Sequence, residues 1–155
     1  MEDLSLHILD IAENSINAGA TRIEIKITED IKADLLTIEI ADNGKGMNEE
    51  TVRKALDPFF TTKGTKKVGL GLPLLAHAAR ESEGDIKIES EINKGTRVLA
   101  TFSYSHIDRK PIGNMNETIN TLIAGNPEID FLYEHRDDEV VYRLDTRDLR
   151  ESYKS

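Results

Sequence analysis

Four short motifs rich in glycine and polar residues follow one another in the first half of this 155-residue chain. They are DIAENSINAGAT at residues 10–21, DNGKGM at 42–47, DPFFTTK at 57–63 and GLGL at 69–72. Each motif alone is a weak signal, because polar helix faces and glycine turns are common. Their order is much more informative, since together they suit the base, the metal and the phosphates of one nucleotide.

The first motif is predicted to lie on a helix that runs from Leu4 to Asn17. Apolar residues recur there at helical spacing, and Asp10, Asn14 and Asn17 fall on a neighbouring face. A carboxylate at Asp10 can orient a water or hydroxyl and accept its proton, while the amide oxygen of Asn14 suits Mg²⁺. The alternative for an isolated stretch of this kind is a solvated polar face.

The second motif follows a strand-like run at residues 35–41. Asp42, where the strand ends, can accept a hydrogen bond from an exocyclic amine. Gly44 and Gly46 carry no side chain, so the backbone can approach a flat ring closely. This combination suits adenine, although DNGKG alone is an ordinary turn sequence.

The fourth motif predicts a contact with phosphate. Gly69 and Gly71 come before a helical run from Leu72 to Arg80, with Pro73 in the first turn. A glycine turn that opens a helix presents free backbone N–H groups and the positive end of the helix dipole. This helix is predicted to cover residues 71–82 in full. A further predicted helix covers residues 48–56, and predicted strands cover residues 21–28, 85–91 and 96–103.

Five motifs in this order, ending with KGTRV at residues 94–98, resemble the GHKL ATP-binding superfamily of DNA gyrase B, the large heat-shock chaperone, histidine kinases and MutL. ENSINAGAT is most similar to MutL, whereas DPFFTTK and GLGLPLL are more similar to sensor histidine kinases. The resemblance covers about residues 4–103. It implies a Bergerat fold, an α+β two-layer sandwich in which helices cover one face of a mixed sheet and ATP binds beneath a mobile lid.

The resemblance also implies roles for individual residues. Asn14 would ligate Mg²⁺, Asp42 would bind the adenine amine, and Thr96 would support the adenine pocket beside Asp42. Phe59 and Phe60 would anchor the lid. The remaining residues expected to contact the nucleotide are Asn17, Gly44, Gly46, Met47, Thr61, Thr62, Lys63, Gly69, Leu70, Gly71 and Leu72.

The sequence departs from the family at the position one turn before Asn14. Its members commonly hold Glu or Asn there, and this chain has Asp10. Asp keeps a carboxylate for base chemistry but is one methylene shorter. Glu13 is the alternative acid, although its direction on the helix points it less directly at the site.

Composition predicts a soluble, cytoplasmic domain that does not bind nucleic acid or membranes. The net charge of −9 disfavours binding to other polyanions, and the absence of cysteine excludes disulfides and thiolate metal sites. No apolar run is long enough to span a bilayer, and the N-terminus lacks the pattern of a signal peptide. ATP is itself an anion, so Lys63, Lys66 and Lys67 are expected to make the lid locally basic.

The last third of the chain, residues 104–155, is expected to be an extension of a nucleotide-binding domain at residues 1–103. Asn114 begins a predicted helix that ends at Gly125, a hairpin follows, and Asp145 caps a short last helix. Such a small element is expected either to dock on a protein partner, a second copy of the chain included, or to cover an edge or face of its own domain.

Two functions follow from these expectations. The first is a stand-alone, Mg²⁺-dependent histidine kinase-like protein kinase or ATPase that transfers the γ-phosphoryl group of ATP to a partner or to water. The second is a nucleotide-gated binding module with little turnover. His106 and His135 are expected to be isolated surface or turn histidines, so a phosphoacceptor would come from elsewhere.

Overall fold

The computed structural model of the chain describes residues 3–57 and 71–148. The strands in this part are β1 (Arg22–Asp30), β2 (Leu35–Asp42), β3 (Asp85–Glu91), β4 (Gly95–Ser103), β5 (Asp130–Arg136) and β6 (Val141–Asp145). The helices are α1 (Leu4–Asn17), α2 (Glu49–Ala55), α3 (Gly71–Glu81) and α4 (Met115–Gly125), and residues 146–148 form a further helical turn.

The six strands form one mixed sheet in the order β3-β4-β2-β1-β5-β6. Neighbouring strands are antiparallel except for β1 and β5, which are parallel. Antiparallel neighbours can be joined by short turns, whereas a parallel pair needs a crossover. Helix α4 lies in the connection that brings β5 back beside β1.

The core lies between one face of this sheet and the helices. Alternate residues of β1, namely Ile23, Ile25 and Ile27, are fully buried, as expected for a sheet with one covered face. They share a core cluster with Ile8 of α1 and Leu75 of α3. Burying each such side chain stabilises the fold by about 1.5–3 kcal/mol.

The other face of the sheet is polar. Arg22 pairs with Glu24 along β1, and Arg97 of β4 pairs with Glu39 of β2 and Glu89 of β3. Charged groups of both signs therefore cover the face that the helices leave open. The predicted α+β fold, a mixed sheet covered on one face by helices, is confirmed.

The chain after β4 contributes to the same core. Ile119 of α4 and Phe131 of β5 are almost completely buried in it. The connecting segment pins the start of α1, because the backbone N–H of Leu4 donates to Pro111 at 2.9 Å and that of Ser5 to Ile112 at 2.8 Å. The division into a domain at residues 1–103 and an extension at 104–155 stays a prediction. The alternative, in which residues 104–155 cover part of their own domain, requires contacts of this kind.

Predicted and observed elements agree closely within the described residues. The predicted N-cap at Asn114 is confirmed, since its side chain accepts from the N–H of Glu117 at 3.0 Å. Asp145 likewise accepts from the N–H of Arg147 at 3.0 Å. Strand β1 is longer than predicted and runs to Asp30, because the chain stays extended until the turn after it. No helix among residues 3–57 and 71–148 has the length and apolar character needed to cross a bilayer.

Candidate nucleotide-binding site

A cavity of about 310 Å³ lies between α1, α2, the start of α3, the end of β2 and the start of β4. Its size and mostly apolar lining are typical of small-molecule sites, in which a few polar groups fix the orientation of the ligand. The lining residues are Ile11, Asn14, Ser15, Ala18, Ile40, Asp42, Lys45, Gly46, Met47, Thr51, Ala55, Leu72, Thr96 and Val98.

Asp42 lies at the end of β2 and is the only carboxylate that lines this cavity among the described residues. Its two oxygens are each held by a donor. The hydroxyl of Ser15 donates to Oδ2 at 2.6 Å, and the backbone N–H of Gly44 donates to Oδ1 at 2.8 Å. The carboxylate is therefore fixed in direction and keeps lone pairs free for one further donor.

Ser15 is a site residue that sequence reasoning missed. It lies on the buried face of α1 and is 4% exposed. Its hydroxyl also lies 3.4 Å from the carbonyl oxygen of Ile11, one turn earlier. The sequence did contain a signal for this role, namely a serine next to Asn14 among apolar residues of the helix. A buried hydroxyl needs a hydrogen-bond partner.

The loop after β2 is held closely against its neighbours. The side-chain oxygen of Asn43 accepts from the backbone N–H groups of Thr21 at 2.8 Å and Arg22 at 3.0 Å. The N–H of Lys45 donates to the carbonyl of Ala18 at 2.9 Å. A Cβ on Gly44 would lie 2.9 Å from that same carbonyl oxygen, closer than Cβ atoms approach in proteins.

Gly46 has two reasons to be glycine. Its φ is +70°, in the left-handed region that side chains disfavour. A Cβ there would also overlap the carbonyl oxygen of Glu91 and lie 2.7 Å from its carbonyl carbon. The close approach of this loop to the end of β3 therefore depends on a missing side chain.

Thr96 pairs with Asp42 across β4 and β2 and is linked to the same loop through Ser90. The Ser90 hydroxyl accepts from the N–H of Met47 at 2.8 Å and lies 2.8 Å from the Thr96 hydroxyl. It also lies 3.1 Å from the carbonyl oxygen of Gly95. Ser90 was not predicted, because nothing local in a strand shows that its side chain bridges two other segments.

The predicted residues of α1 separate into two groups. Asn14 is half-buried and lines the cavity, and its role as a ligand of the metal stays a prediction. Asn17 is exposed and does not line it. Asp10 and Glu13 are also exposed, and Asp10 lies against the start of α3, since a Cβ on Gly71 would be 2.8 Å from the Cβ of Asp10.

Leu72, in the first turn of α3, is 8% exposed and lines the cavity. Gly71 begins this helix beside α1. Several predicted residues lie outside the described part of the chain, and their roles stay predictions. They are Phe59, Phe60, Thr61, Thr62, Lys63, Lys66, Lys67, Gly69 and Leu70.

A magnesium ion fits this site only together with a nucleotide. Within residues 3–57 and 71–148, no group of three or more His, Asp or Glu side chains could hold a metal. Asn14 offers one hard, neutral oxygen at the wall of the cavity. Mg²⁺ usually takes one or two carboxylates and completes its shell with substrate phosphates and water, so Asn14 would be one protein ligand beside the phosphates.

A second polar cluster lies at the opposite end of β1. His135, expected to be an isolated surface or turn histidine, instead lies in β5 with its Nε2 2.6 Å from Oε2 of Glu29. Its Nδ1 is 3.1 Å from the hydroxyl of Tyr133, and the Tyr104 hydroxyl donates to Glu29 at 3.1 Å. Burial raises the pKa of Tyr133 to about 12, with smaller contributions from Tyr142 and Glu29.

Comparison with known proteins agrees with this geometry. Residues 2–106 match the model of the histidine kinase-, DNA gyrase B- and HSP90-like ATPase family. A putative sensor protein of Shewanella frigidimarina is 31% identical over 65% of this chain and 16% of its own length. Sporulation kinase C of Bacillus subtilis is 35% identical over 57% of this chain and 20% of its own length. The chain therefore spans a fifth or less of these relatives.

Two solved structures share the fold at low sequence identity. The N-terminal domain of a DNA repair protein has a TM-score of 0.64 and 18% identity, covering 94% of this chain and 52% of that one. The MutL ATPase domain of Aquifex aeolicus, solved with ADP, has a TM-score of 0.52 and 17% identity, covering 99% and 69%. With the family match spanning two thirds of its residues, this chain belongs to the histidine kinase-, DNA gyrase B- and HSP90-like ATPases.

Proposed function

We propose that the chain binds ATP with adenine in the cavity and its exocyclic amine on Asp42. The observation that carries this proposal is the fixed Asp42 carboxylate, held by Ser15 and Gly44 at the wall of an apolar cavity. Adenine presents a donor at its six-position, whereas guanine presents a carbonyl there that cannot donate to a carboxylate. The site should therefore prefer ATP to GTP.

The phosphates would extend from this cavity towards α1 and the start of α3. Backbone N–H groups in the first turn of a helix are unpaired within it and favour anions, and Gly71 begins α3 beside Asp10. Bound Mg²⁺ would neutralise phosphate charge and orient the γ-phosphoryl group. Asn14 would hold that ion, and the predicted lid with Lys63 would supply further positive charge.

For chemistry we propose transfer of the γ-phosphoryl group to a partner protein or to water, as in a stand-alone histidine kinase-like domain. Asp10 would orient the acceptor and take its proton, with Glu13 as the alternative base. Both carboxylates are exposed, so each can reach an acceptor that arrives from solvent. We further propose that the chain works in the cytoplasm, where ATP is available.

A second candidate is a regulatory module that binds ATP and turns it over slowly. One observation favours it, because Asp42 is the only acid lining the cavity within the described residues, and neither Asp10 nor Glu13 does so. Nucleotide binding would then change the affinity of the chain for a partner. The kinase and the module share the adenine site and differ in turnover.

Calorimetry with ATP and GTP tests the adenine site. Asp42→Asn should weaken ATP binding by about 1–3 kcal/mol, the range for a buried hydrogen bond to a charged group. Glu128→Gln is the matched control, because it removes one negative charge from an exposed position outside the cavity lining. Equal affinity for ATP and GTP, or no loss in Asp42→Asn, would refute the assignment.

Incubation with γ-labelled ATP, with and without lysate of the source organism, separates the two functions. Label on another protein supports a kinase, released phosphate alone supports an ATPase, and bound but unconverted ATP supports the module. Asp10→Asn should abolish turnover and leave ATP affinity nearly unchanged, whereas Asn14→Ala should remove the Mg²⁺-dependent part of that affinity. Unchanged turnover in Asp10→Asn would instead assign the base to Glu13 or to no side chain.

A further inference from the structure

Ser90 of β3 lies behind the wall of the nucleotide cavity and contacts two residues that form this wall. Its hydroxyl oxygen accepts from the backbone N–H of Met47 at 2.8 Å and lies 2.8 Å from the hydroxyl oxygen of Thr96. Met47 and Thr96 line the cavity, whereas Ser90 does not. Any effect of Ser90 on a ligand in this cavity must therefore pass through these two residues.

The single hydroxyl proton of Ser90 limits how these contacts can be hydrogen bonds. Ser90 Oγ also lies 3.1 Å from the carbonyl oxygen of Gly95, which can only accept. The directions of hydroxyl protons follow from the whole network, and one arrangement makes all three contacts hydrogen bonds. In it, Ser90 accepts from Met47 and donates to Gly95. Thr96 then donates its own proton to Ser90, away from the cavity.

Thr96 is also the cross-strand neighbour of Asp42. Residues paired in this way have Cβ atoms about 4.5–5.5 Å apart on one face of the sheet, so rotation of the threonine side chain can bring its hydroxyl to the carboxylate. Within the described residues, the Thr96 hydroxyl contacts Ser90 and not Asp42. Asp42 already accepts from Ser15 and Gly44. A third donor from Thr96 would occupy a lone pair that a ligand needs.

We propose that Ser90 is a positioning residue that holds the Thr96 proton away from Asp42 and so keeps a lone pair of this carboxylate free for an exocyclic amine. The inference rests on the adenine site proposed above and adds a residue that sets its selectivity. Ser90 does not touch the nucleotide. It raises the preference for a base that carries the amine over a base that lacks it, because only the amine uses the free lone pair.

A merely structural role for Ser90 predicts a different result. Loss of the bond from Met47 would loosen the loop after β2 and would weaken the binding of every nucleotide alike. Release of the Thr96 proton weakens only the binding of nucleotides with an amine at the six-position. Purine ribonucleoside triphosphate lacks this amine and keeps N1 and the phosphates of ATP. The ratio of its dissociation constant to that of ATP therefore isolates the amine contact.

Calorimetry of the full chain with both triphosphates and Mg²⁺ measures this ratio. Ser90→Ala should lower it by at least about fivefold, because the released Thr96 hydroxyl competes for Asp42. Thr96→Val should leave the ratio unchanged, and the double variant Ser90→Ala/Thr96→Val should restore it, because the competing donor is gone. Ser103→Ala is the matched control, since its hydroxyl donates to Asp34 at 3.1 Å at the other end of β4 and should change neither dissociation constant.

The outcomes separate the role of Ser90 from the adenine site itself. A wild type that binds the two triphosphates equally would overturn the adenine site and this inference with it. If the wild type prefers ATP, three results would each overturn the role of Ser90 alone: an unchanged ratio in Ser90→Ala, a lowered ratio in Thr96→Val, or a double variant that is not restored. Urea unfolding checks the fold of each variant, and Thr96→Val tests the proton assignment independently of Ser90→Ala.

Discussion

Substituting alanine at Gly46 and at Gly19 separates steric clash from left-handed backbone strain, two effects that usually occur together at glycine positions. Gly46 and Gly19 both have positive φ, +70° and +82°. A Cβ at Gly19 would meet no heavy atom within 4 Å, whereas a Cβ at Gly46 would overlap the carbonyl group of Glu91. Gly19→Ala is therefore a matched control that carries the conformational strain without the steric clash.

The expected difference can be worked from the contacts. Left-handed strain costs about 1–2 kcal/mol in either variant. At Gly46 the loop and the end of β3 must also separate by roughly 1 Å to relieve the overlap. That movement breaks the Met47 N–H bond to Ser90 at 2.8 Å and the Asn93 N–H bond to Lys45 at 2.7 Å. At about 1 kcal/mol each, Gly46→Ala should lose about 2 kcal/mol more stability than Gly19→Ala.

Urea unfolding of both variants measures this difference, and ATP calorimetry measures its effect on the site. Because Gly46 lies between Asp42 and Met47 in the loop that lines the cavity, displacement of this loop should weaken ATP binding by about tenfold or more in Gly46→Ala only, on the scale of one lost buried hydrogen bond. Equal losses of stability in the two variants, or unchanged ATP affinity in Gly46→Ala, would refute the role of this close approach.

Three further outcomes are expected. Ser15→Ala should weaken ATP binding about tenfold while GTP binding stays unchanged, because Asp42 loses the donor at 2.6 Å that fixes it; calorimetry with both nucleotides checks this. Burial raises the pKa of Tyr133, which contributes about 3 kcal/mol of stability that is fully present below pH 10 and is lost as the pH rises from 10 to about 12. Urea unfolding over that range should show a loss about 3 kcal/mol smaller in Tyr133→Phe than in the wild type, and Tyr104, whose pKa is raised by its bond to Glu29, should contribute to the loss that remains. A chain truncated after Ser105 should be insoluble or fail to bind ATP, because Phe131 and Ile119 leave the core; a soluble truncated chain that binds ATP would instead support a separate extension.

Residues whose role depends on local sequence could be predicted. Asp42 ends a strand and begins a glycine turn, and Asn14 lies on a regular helical face, so the pattern alone brought both to the site. Helix α1 was predicted to the residue, because its apolar stripe and its flanking polar residues agree. The α+β fold followed from the order of five motifs rather than from any one of them.

Residues whose role depends on distant pairing could not be predicted. Ser90 contacts Met47 across 43 positions, and Glu29 contacts His135 across 106. Neither contact produces a periodic pattern in the sequence, because each depends on one side chain whose neighbours are set by the register of the strands. The parallel pairing of β5 with β1 was also missed, since a crossover connection defines no turn motif between the two strands.

Arg22 links the last third of the chain to the loop after β2, which begins beside Asp42. The guanidinium group of Arg22 donates to the Asp145 carboxylate at 3.4 Å, and its backbone N–H donates to Asn43 at 3.0 Å. Burial alone would raise the pKa of Asp145, but the N–H of Arg147 and the charge of Arg22 hold this pKa below its ordinary value. A carboxylate with a lowered pKa stabilises the fold above its unfolded pKa and loses that effect as the pH falls through the folded value. Protonation of Asp145 as the pH falls through that folded value should therefore loosen β6, and through Arg22 it should loosen the outer side of the loop that carries Asp42.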